Sequence, residues 1–272
     1  MEKRNCQVNL QVLPEWNKND GCDVVLVLRG LSRYHPQEGQ FNMMWNISHP
    51  DQVTREEYNQ YQQIFVASEH WAEEIKEKIN VPVEGLLQCT DPELFYPEPD
   101  EKYQYDLLFV GNSRKEHRKI IKDLLPTSYN LAVYGKNWKR FIKRRYIKGK
   151  HIPYTELRKA YSSTKILLND HWDDMRDKGF ISNRIFDGFA AGSFIISDNI
   201  KTEKIFGDAL VTYQTPEELE KLIDLYLEDE KLRTEKAGKG SKIVLEGHTY
   251  RDRTARILEV IETNNLIPPK KE

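Results

Sequence analysis

Cysteine is scarce: the 272-residue chain has three, Cys6, Cys22 and Cys89, widely spaced and without a Cys-x-x-Cys pair. An odd number so placed excludes a disulfide framework and supplies no zinc ligand set, so the three read as plain core or surface thiols. Long apolar runs are missing too. No stretch approaches the roughly 18 consecutive apolar residues of a membrane span, and the opening MEKRNCQVNL lacks the apolar centre of a signal peptide. The expected location is the cytoplasm. No short repeat, low-complexity tract or Asp-x-Asp pair occurs. With 31% charged and 39% hydrophobic residues, disordered and fibrous classes are excluded as well.

What is present is an uneven distribution of charge. The formal net charge is −2, yet residues 1–100 hold 8 Lys and Arg against 17 Asp and Glu, whereas residues 101–272 hold 33 against 26. An acidic first part and a basic second part suggest two units, with an anionic ligand favouring the second. Strand-forming runs VNLQVL (8–13), DVVLVL (23–28), FNMMWNI (41–47), IFVAS (64–68) and VEGLLQ (83–88) lead to a proline- and acid-rich linker, DPELFYPEPDEKY. Thr54-Arg55-Glu56-Glu57 is a capping box opening a helix to about Gln62, and Ser68 caps a second one. Beyond the linker the pattern restarts with DLLFVG (106–111), NLAVYG (130–135), KILLN (165–169), SFIISD (193–198) and ALVTY (209–213). Helical stretches lie between them at KEHRKIIKDLL, YTELRKAYSS and SNRIFDGFAAG, and two more start at Pro216 and Tyr250. Such alternation predicts an α/β protein of two Rossmann-like domains, 1–98 and 99–249, with a C-terminal helix in 250–272 that could pack back on the first.

Ligands of doubly wound sheets bind beyond the carboxyl ends of the strands, which selects the loops after Gly111, Gly135, Asn169 and Asp198. With Ser182 as N-cap, the amides of Asn183, Arg184 and Ile185 point out of a helix start whose dipole favours an anion, and Arg184 adds charge. Asp187 lies one turn past Asn183 on the same face. Phosphate at the helix tip with a carboxylate about 5–6 Å further along would hold a nucleotide by its phosphates and ribose diol. A capped core helix carrying one exposed acid fits the same residues, and both readings stay open. Tyr134 and Gly135 end a strand, where Gly135 would let backbone approach a ligand closely.

The pieces FVGNSRKEHR, AVYGKNW, HIPYTELRKAYSSTKILLN, SNRIFDGFAAGSFIISD and HTYRDRTARIL, with LLQCTDPELFYP before them, resemble group 1 glycosyltransferases of GT-B fold, in the branch related to spore-maturation proteins. The resemblance runs from DLLFVG to the C-terminus and more loosely from about Asp23. It implies a GT-B pair of Rossmann-like domains with a shortened N-terminal one, either because the chain is a fragment or because its acceptor site is minimal. It also implies a nucleotide-sugar donor, with a lean to uridine diphosphate, held by the C-terminal domain. By the same resemblance Asp187 sits where the family has a glutamate on the ribose hydroxyls, and Asn183 and Arg184 receive the diphosphate. After the FVG strand, Asn112 replaces the first member of a basic pair, and Arg118 is chosen over His117 as the second because its fork suits a pyrophosphate oxygen. Ile152, between His151 and Pro153, matches the segment whose backbone reads the base. Trp138 could stack on that base or pack in the core. His171, Asp173 and Asp174 lie in the loop that meets the sugar. Gly179 occupies the place of an expected acid, with Asp177 nearby, so the stereochemical outcome is not readable from this motif.

In the first half, His49 follows a strand and could contact the donor sugar or assist proton movement. Asp51, Glu69 and His70 are weaker candidates. Residues 136–150, KNWKRFIKRRYIKGK, carry eight cations and no acid, with apolar residues interleaved. An amphipathic contact with an anionic membrane or lipid-linked acceptor, nucleic acid, or a solvated helical face would each account for it; a peripheral membrane contact is carried forward and nucleic acid is not expected. The function expected is metal-independent transfer of a sugar to a glycan, lipid-linked or protein acceptor, with no cofactor beyond the donor. A nucleotide-sugar epimerase or a non-catalytic nucleotide-sugar-binding module are the alternatives.

Overall fold

Runs of branched and aromatic residues too continuous for one-sided burial become the inner strands of parallel sheets. In the computed structural model, which describes residues 6–16, 21–113, 115–200, 203–264 and 266, two such sheets form. They belong to separate units, one of residues 1–87, 177–180 and 250–272, the other of residues 88–176 and 181–249. Residues 1–5 of the opening segment and Arg114 of FVGNSRKEHR lie outside the described residues.

The first unit holds β1 (Val24–Arg29), β2 (Phe41–Asn46), β3 (Gln63–Val66) and β4 (Val83–Gly85), all parallel and in sequential order. Helix α1 (Arg55–Tyr58) starts at Thr54, whose hydroxyl accepts from Glu57 N at 3.2 Å, and α2 (Glu69–Lys76) starts at Ser68, which accepts from Trp71 N at 3.1 Å. The expected helix to Gln62 thus ends after one turn. Arg29 and Glu57 are buried together, Nε to Oε1 at 2.7 Å and Nη2 to Oε2 at 3.2 Å. The strand expected at 8–13 is absent: those residues form no ladder, and Leu10 is 83% exposed. An alternating pattern becomes a strand only where an edge is available to pair with it.

The second unit holds β5 (Leu107–Val110), β6 (Leu131–Tyr134), β7 (Ile147–Gly149), β8 (Ile166–Asn169), β9 (Ile195–Asp198) and β10 (Val211–Tyr213). Their order is β10-β9-β8-β5-β6-β7, and every pairing is parallel. The chain runs outward from β5 to β7, returns to β8 on the other side of β5, and runs outward again. The order therefore reverses between β5 and β8, where a doubly wound sheet opens a crevice beyond its carboxyl ends. Helices α3 (Lys119–Leu124), α4 (Tyr154–Ser163), α5 (Asp173–Asp177), α6 (Asn183–Ala190), α7 (Glu203–Phe206), α8 (Pro216–Glu228) and α9 (Glu230–Gly247) fill the connections. Helix α3 is shorter than KEHRKIIKDLL, because Lys115 takes a left-handed conformation and the helix begins only after Arg118.

Helix α6 is pressed hard into this unit. A Cβ on Gly188 would lie 2.7 Å from a Leu167 methyl carbon, and a side chain at Gly240 of α9 would overlap the Phe189 ring. The segment 136–150 is not the expected amphipathic helix. It forms two short 3-10 turns, Trp138–Arg140 and Arg144–Tyr146, followed by β7, and its Trp138, Ile142 and Tyr146 enter the core beside Phe109 and Leu131. The last helix, α10 (Tyr250–Thr263), belongs to the first unit, where Arg253 Nε donates to Leu87 O at 2.6 Å and Arg256 forks onto Glu84 at 2.8 and 2.6 Å.

Candidate functional site

The loops after β5 and β8 and the tip of α6 come together at the reversal of strand order. Gly111 leaves β5 with its N–H on Tyr134 O at 2.8 Å, and its carbonyl accepts from Trp138 Nε1 at 2.8 Å. Gly135, at φ 152°, does make a close approach, but to protein: a Cβ there would overlap the Gly111 carbonyl. Asn112 fastens the same two loops, its Oδ1 accepting from Lys136 N at 2.7 Å. Trp138 is therefore a core residue that shapes the loop from behind.

Two guanidinium groups flank Phe109, Arg118 at 5.4 Å and Arg184 at 5.0 Å from the ring centre. Arg118 is only 3% exposed and committed to Asp170: Nε donates to Oδ2 at 3.1 Å, Nη2 binds Oδ1 and also donates to the Asp170 carbonyl at 3.1 Å. Its Nη1 donates to Asn112 O at 3.3 Å. Arg184 is half-buried, and its Nη1 donates to the neutral Asn169 Oδ1 at 2.6 Å. Among the described residues no carboxylate forms an ion pair with it. Burial, with Arg118 adding repulsion against the opposing pull of Tyr161 and Asp170, lowers its pKa, so its charge is held at a cost that an arriving anion would relieve. Nearby, the Ser182 side chain makes no cap bond, leaving the helix start open to another acceptor.

His171 is buried with both ring nitrogens engaged. Nδ1 lies 2.6 Å from Asp198 Oδ1, while Nε2 faces the backbone N–H of Ser182 at 3.0 Å. An amide can only donate, so Nε2 carries the lone pair, Nδ1 carries the proton and the ring is neutral. Asp198 also accepts from His171 N at 3.0 Å and from Ser197 Oγ at 3.0 Å. Burial alone would raise the Asp198 pKa, but these hydrogen bonds outweigh it and hold the group below the ordinary carboxylate value. The arrangement positions the tip of α6 through Ser182.

Asp187 is not an exposed acid. It is 6% exposed, with Oδ1 accepting from Thr90 Oγ1 at 2.8 Å and Oδ2 from Asn183 Nδ2 at 2.7 Å. Burial pushes its pKa up to about 7 against the lowering effect of these donors and of Arg184. Of the remaining candidates in this unit, Tyr134 shares a 3.0 Å hydroxyl contact with Tyr105, Ile152 is buried before α4, Asp173 pairs with Arg176 at 2.8 Å, and Asp174 accepts from Met175 N at 2.9 Å.

His49 belongs to the first unit, in a left-handed conformation before a 3-10 turn. In that unit Asp51 pairs with Lys178, Glu69 opens α2, and His70 Nε2 lies 3.1 Å from Glu74. Gly179, at φ 72°, leaves 3.2 Å between a built Cβ and Ser68 Oγ, so an acid there would be strained. Asp170 and Thr90 were not singled out in the sequence, and Asn169 and Asp198 only as the strand ends whose loops were selected, although KILLND and FIISD each place an acid at the end of an apolar strand, the position from which such sheets address ligands. Among the described residues no group of three His, Cys, Asp or Glu is placed to hold a metal ion.

The second unit is thus a six-stranded parallel α/β sheet with a half-buried cation and an open helix start at the point where its strand order reverses. Residues 114–259 match the family described as Glycosyl transferase-like, and the chain belongs to that family. No curated protein matches the sequence significantly. In structure the chain is similar to sucrose-phosphate synthase from Thermosynechococcus elongatus, with a TM-score of 0.66 and 11% identity over 85% of this chain and 69% of that one. It is also similar to Anabaena HepE in complex with UDP and glucose (TM-score 0.64, 10% identity, 82% and 72% covered) and to a glycosyltransferase from Rickettsia africae ESF-5 (0.62, 13%, 89% and 76%). The fold is GT-B, two Rossmann-like units each built on a parallel sheet.

Proposed function

We propose that the chain transfers a sugar from a nucleotide-sugar donor, with the donor's diphosphate received at the tip of α6 in the second unit. The observation that carries this reading is Arg184, a half-buried cation beside an uncapped helix start with a neutral side chain as its hydrogen-bond acceptor. Around Phe109 the guanidinium of Arg118 is paired with the carboxylate of Asp170, whereas that of Arg184 has no ion-pair partner among the described residues. Negative charge grows on a diphosphate as its glycosidic bond breaks, and pre-placed cations and helix amides stabilise it without reorganisation. The chemistry proposed is therefore metal-independent.

In this assignment Arg184, Ser182 and Asn183 meet the phosphates, and Gly111, Asn112, Tyr134 and Gly135 shape the loops beside them. Ile152 lies along the base and Asp187 faces the ribose. Arg118 acts through Asp170 and His171 through Ser182, both as positioning residues. His49 and the first domain serve the acceptor side, a glycan, lipid-linked or protein hydroxyl, with 1–98, 99–249 and 250–272 as the functional divisions. The base is uracil, in keeping with the UDP held by the similar HepE. SNRIFDGFAAG and HTYRDRTARIL support membership of the branch related to spore-maturation proteins, and the buried Cys89, which forms no disulfide, suits a reducing cytoplasm.

Thermal unfolding against UDP, GDP, TDP, ADP and CMP tests the reading. A nucleotide at 100 times its dissociation constant adds about 2.7 kcal/mol to folding stability, and UDP should give the largest shift, unaltered by a chelator. If none of the five raises the melting temperature, the donor site is wrongly placed. Nucleotide binding without sugar transfer to any acceptor extract would instead indicate a binding module.

A further inference from the structure

The segment 136–150 was ambiguous in sequence because its aromatic and aliphatic residues could have formed an inserting face. They do not: Trp138, Ile142 and Tyr146 are buried, and Phe141 and Ile147 are half-buried against the same core. All eight cations, Lys136, Lys139, Arg140, Lys143, Arg144, Arg145, Lys148 and Lys150, are exposed. None of them forms an ion pair among the described residues, whereas exposed cations elsewhere commonly do, as with Lys102 and Glu156 at 2.8 Å, Lys165 and Asp106 at 2.8 Å, and Lys236 and Asp208 at 3.2 Å. The folded chain thus concentrates eight uncompensated charges on two turns and a short edge strand, in a protein whose net charge is −2.

We propose that this surface docks on an anionic lipid bilayer by charge alone, without inserting side chains. The proposal stands apart from the donor-site reading, since none of its residues is placed in that site's phosphate contacts. A single-stranded nucleic acid would need exposed aromatic rings for its bases to stack on, whereas Trp138 and Tyr146 are in the core and Phe141 is half-buried against it beside His117. A lipid surface needs only a cluster of cations within a Debye length. Burial of the apolar residues means that binding depends on anionic headgroup density and salt, not on packing defects.

The test is sedimentation of the full chain with phosphatidylcholine vesicles, with or without 30 mol% phosphatidylglycerol. Each cation near an anionic leaflet multiplies partitioning about fivefold. The substitutions Lys139→Gln, Arg140→Gln, Lys143→Gln and Arg144→Gln together should therefore lower it by nearly three orders of magnitude, about 600-fold. All four side chains are exposed, so the variant should melt with the parent and keep its nucleotide-induced shift. Binding to the mixed vesicles at 50 mM salt, lost at 500 mM salt and in the variant, is the expected result. Equal sedimentation with both vesicle types, or tighter capture by a 20-mer oligonucleotide than by the mixed vesicles, would overturn the proposal. Persistence of binding at 500 mM salt would also overturn it, by showing insertion.

Discussion

Raising the pH from 5 to 8 should cost the folded chain about 3 kcal/mol through Asp187 alone. Its folded pKa is about 7 against a reference value of 3.8. Between those values the folded state keeps a proton that the unfolded state has released. Stability from this group is therefore fullest below the unfolded value and falls as pH rises through the folded one. The full difference is about 4 kcal/mol at about 1.4 kcal/mol per pKa unit, and roughly 3 of it falls between pH 5 and 8. Asp187→Asn removes the titration while keeping the shape. Urea unfolding of both proteins at the two pH values should show the parent losing about 3 kcal/mol more than the variant. Parallel losses would refute the reasoning. If the ionised carboxylate also accepts ribose hydroxyls, UDP affinity should rise about tenfold from pH 6 to 8 in the parent relative to the variant. The parent should also favour UDP over its 2′-deoxy form.

Arg184→Ala should weaken UDP binding by about 1.5–3 kcal/mol, the range for charge-assisted hydrogen bonds, with little change in melting temperature. Unchanged calorimetric affinity would remove Arg184 from the phosphate site. His171→Gln should lower nucleotide affinity by loosening the α6 tip yet leave the shape of the pH–rate profile intact, because the ring has no free nitrogen for proton transfer; disappearance of one limb would make it a general base. In the first unit, Arg29→Met or Glu57→Leu alone should cost about 3–5 kcal/mol by stranding a buried charge. The double variant should recover much of this, and additive losses in a double-mutant cycle would contradict the paired geometry.

The two parallel sheets were legible because apolar strands such as DLLFVG and KILLN recur between helical stretches with caps at Thr54 and Ser68. The site was legible as a place: the strand ends and the α6 tip meet as the alternation implies. Which atoms would be free was not. Thr90 reaches Asp187 across 97 residues, and Asp198 reaches His171 across 27, pairings set by tertiary packing that no local spacing encodes. Arg118 illustrates the same limit, since its buried carboxylate, Asp170, is 52 residues away. In 136–150 the charge count was readable, but the helical reading failed. Trp138, Ile142 and Tyr146, spaced four apart, are drawn into the sheet by turns rather than along one helical face.

Helix α10 belongs to the first unit although residues 88–176 and 181–249 of the second precede it in the chain. Protein synthesis therefore presents the units out of their N-to-C order. At about 5–20 residues per second, roughly 10–35 s separate emergence of Leu87 from emergence of Thr263. The first unit cannot place Arg253 on Leu87 or Arg256 on Glu84 until that interval has passed, whereas the second has its whole sequence available once Thr249 has emerged. The earlier-made half is the later to close, and during that wait Glu84 of β4 and Leu87 beyond it are without their α10 partners.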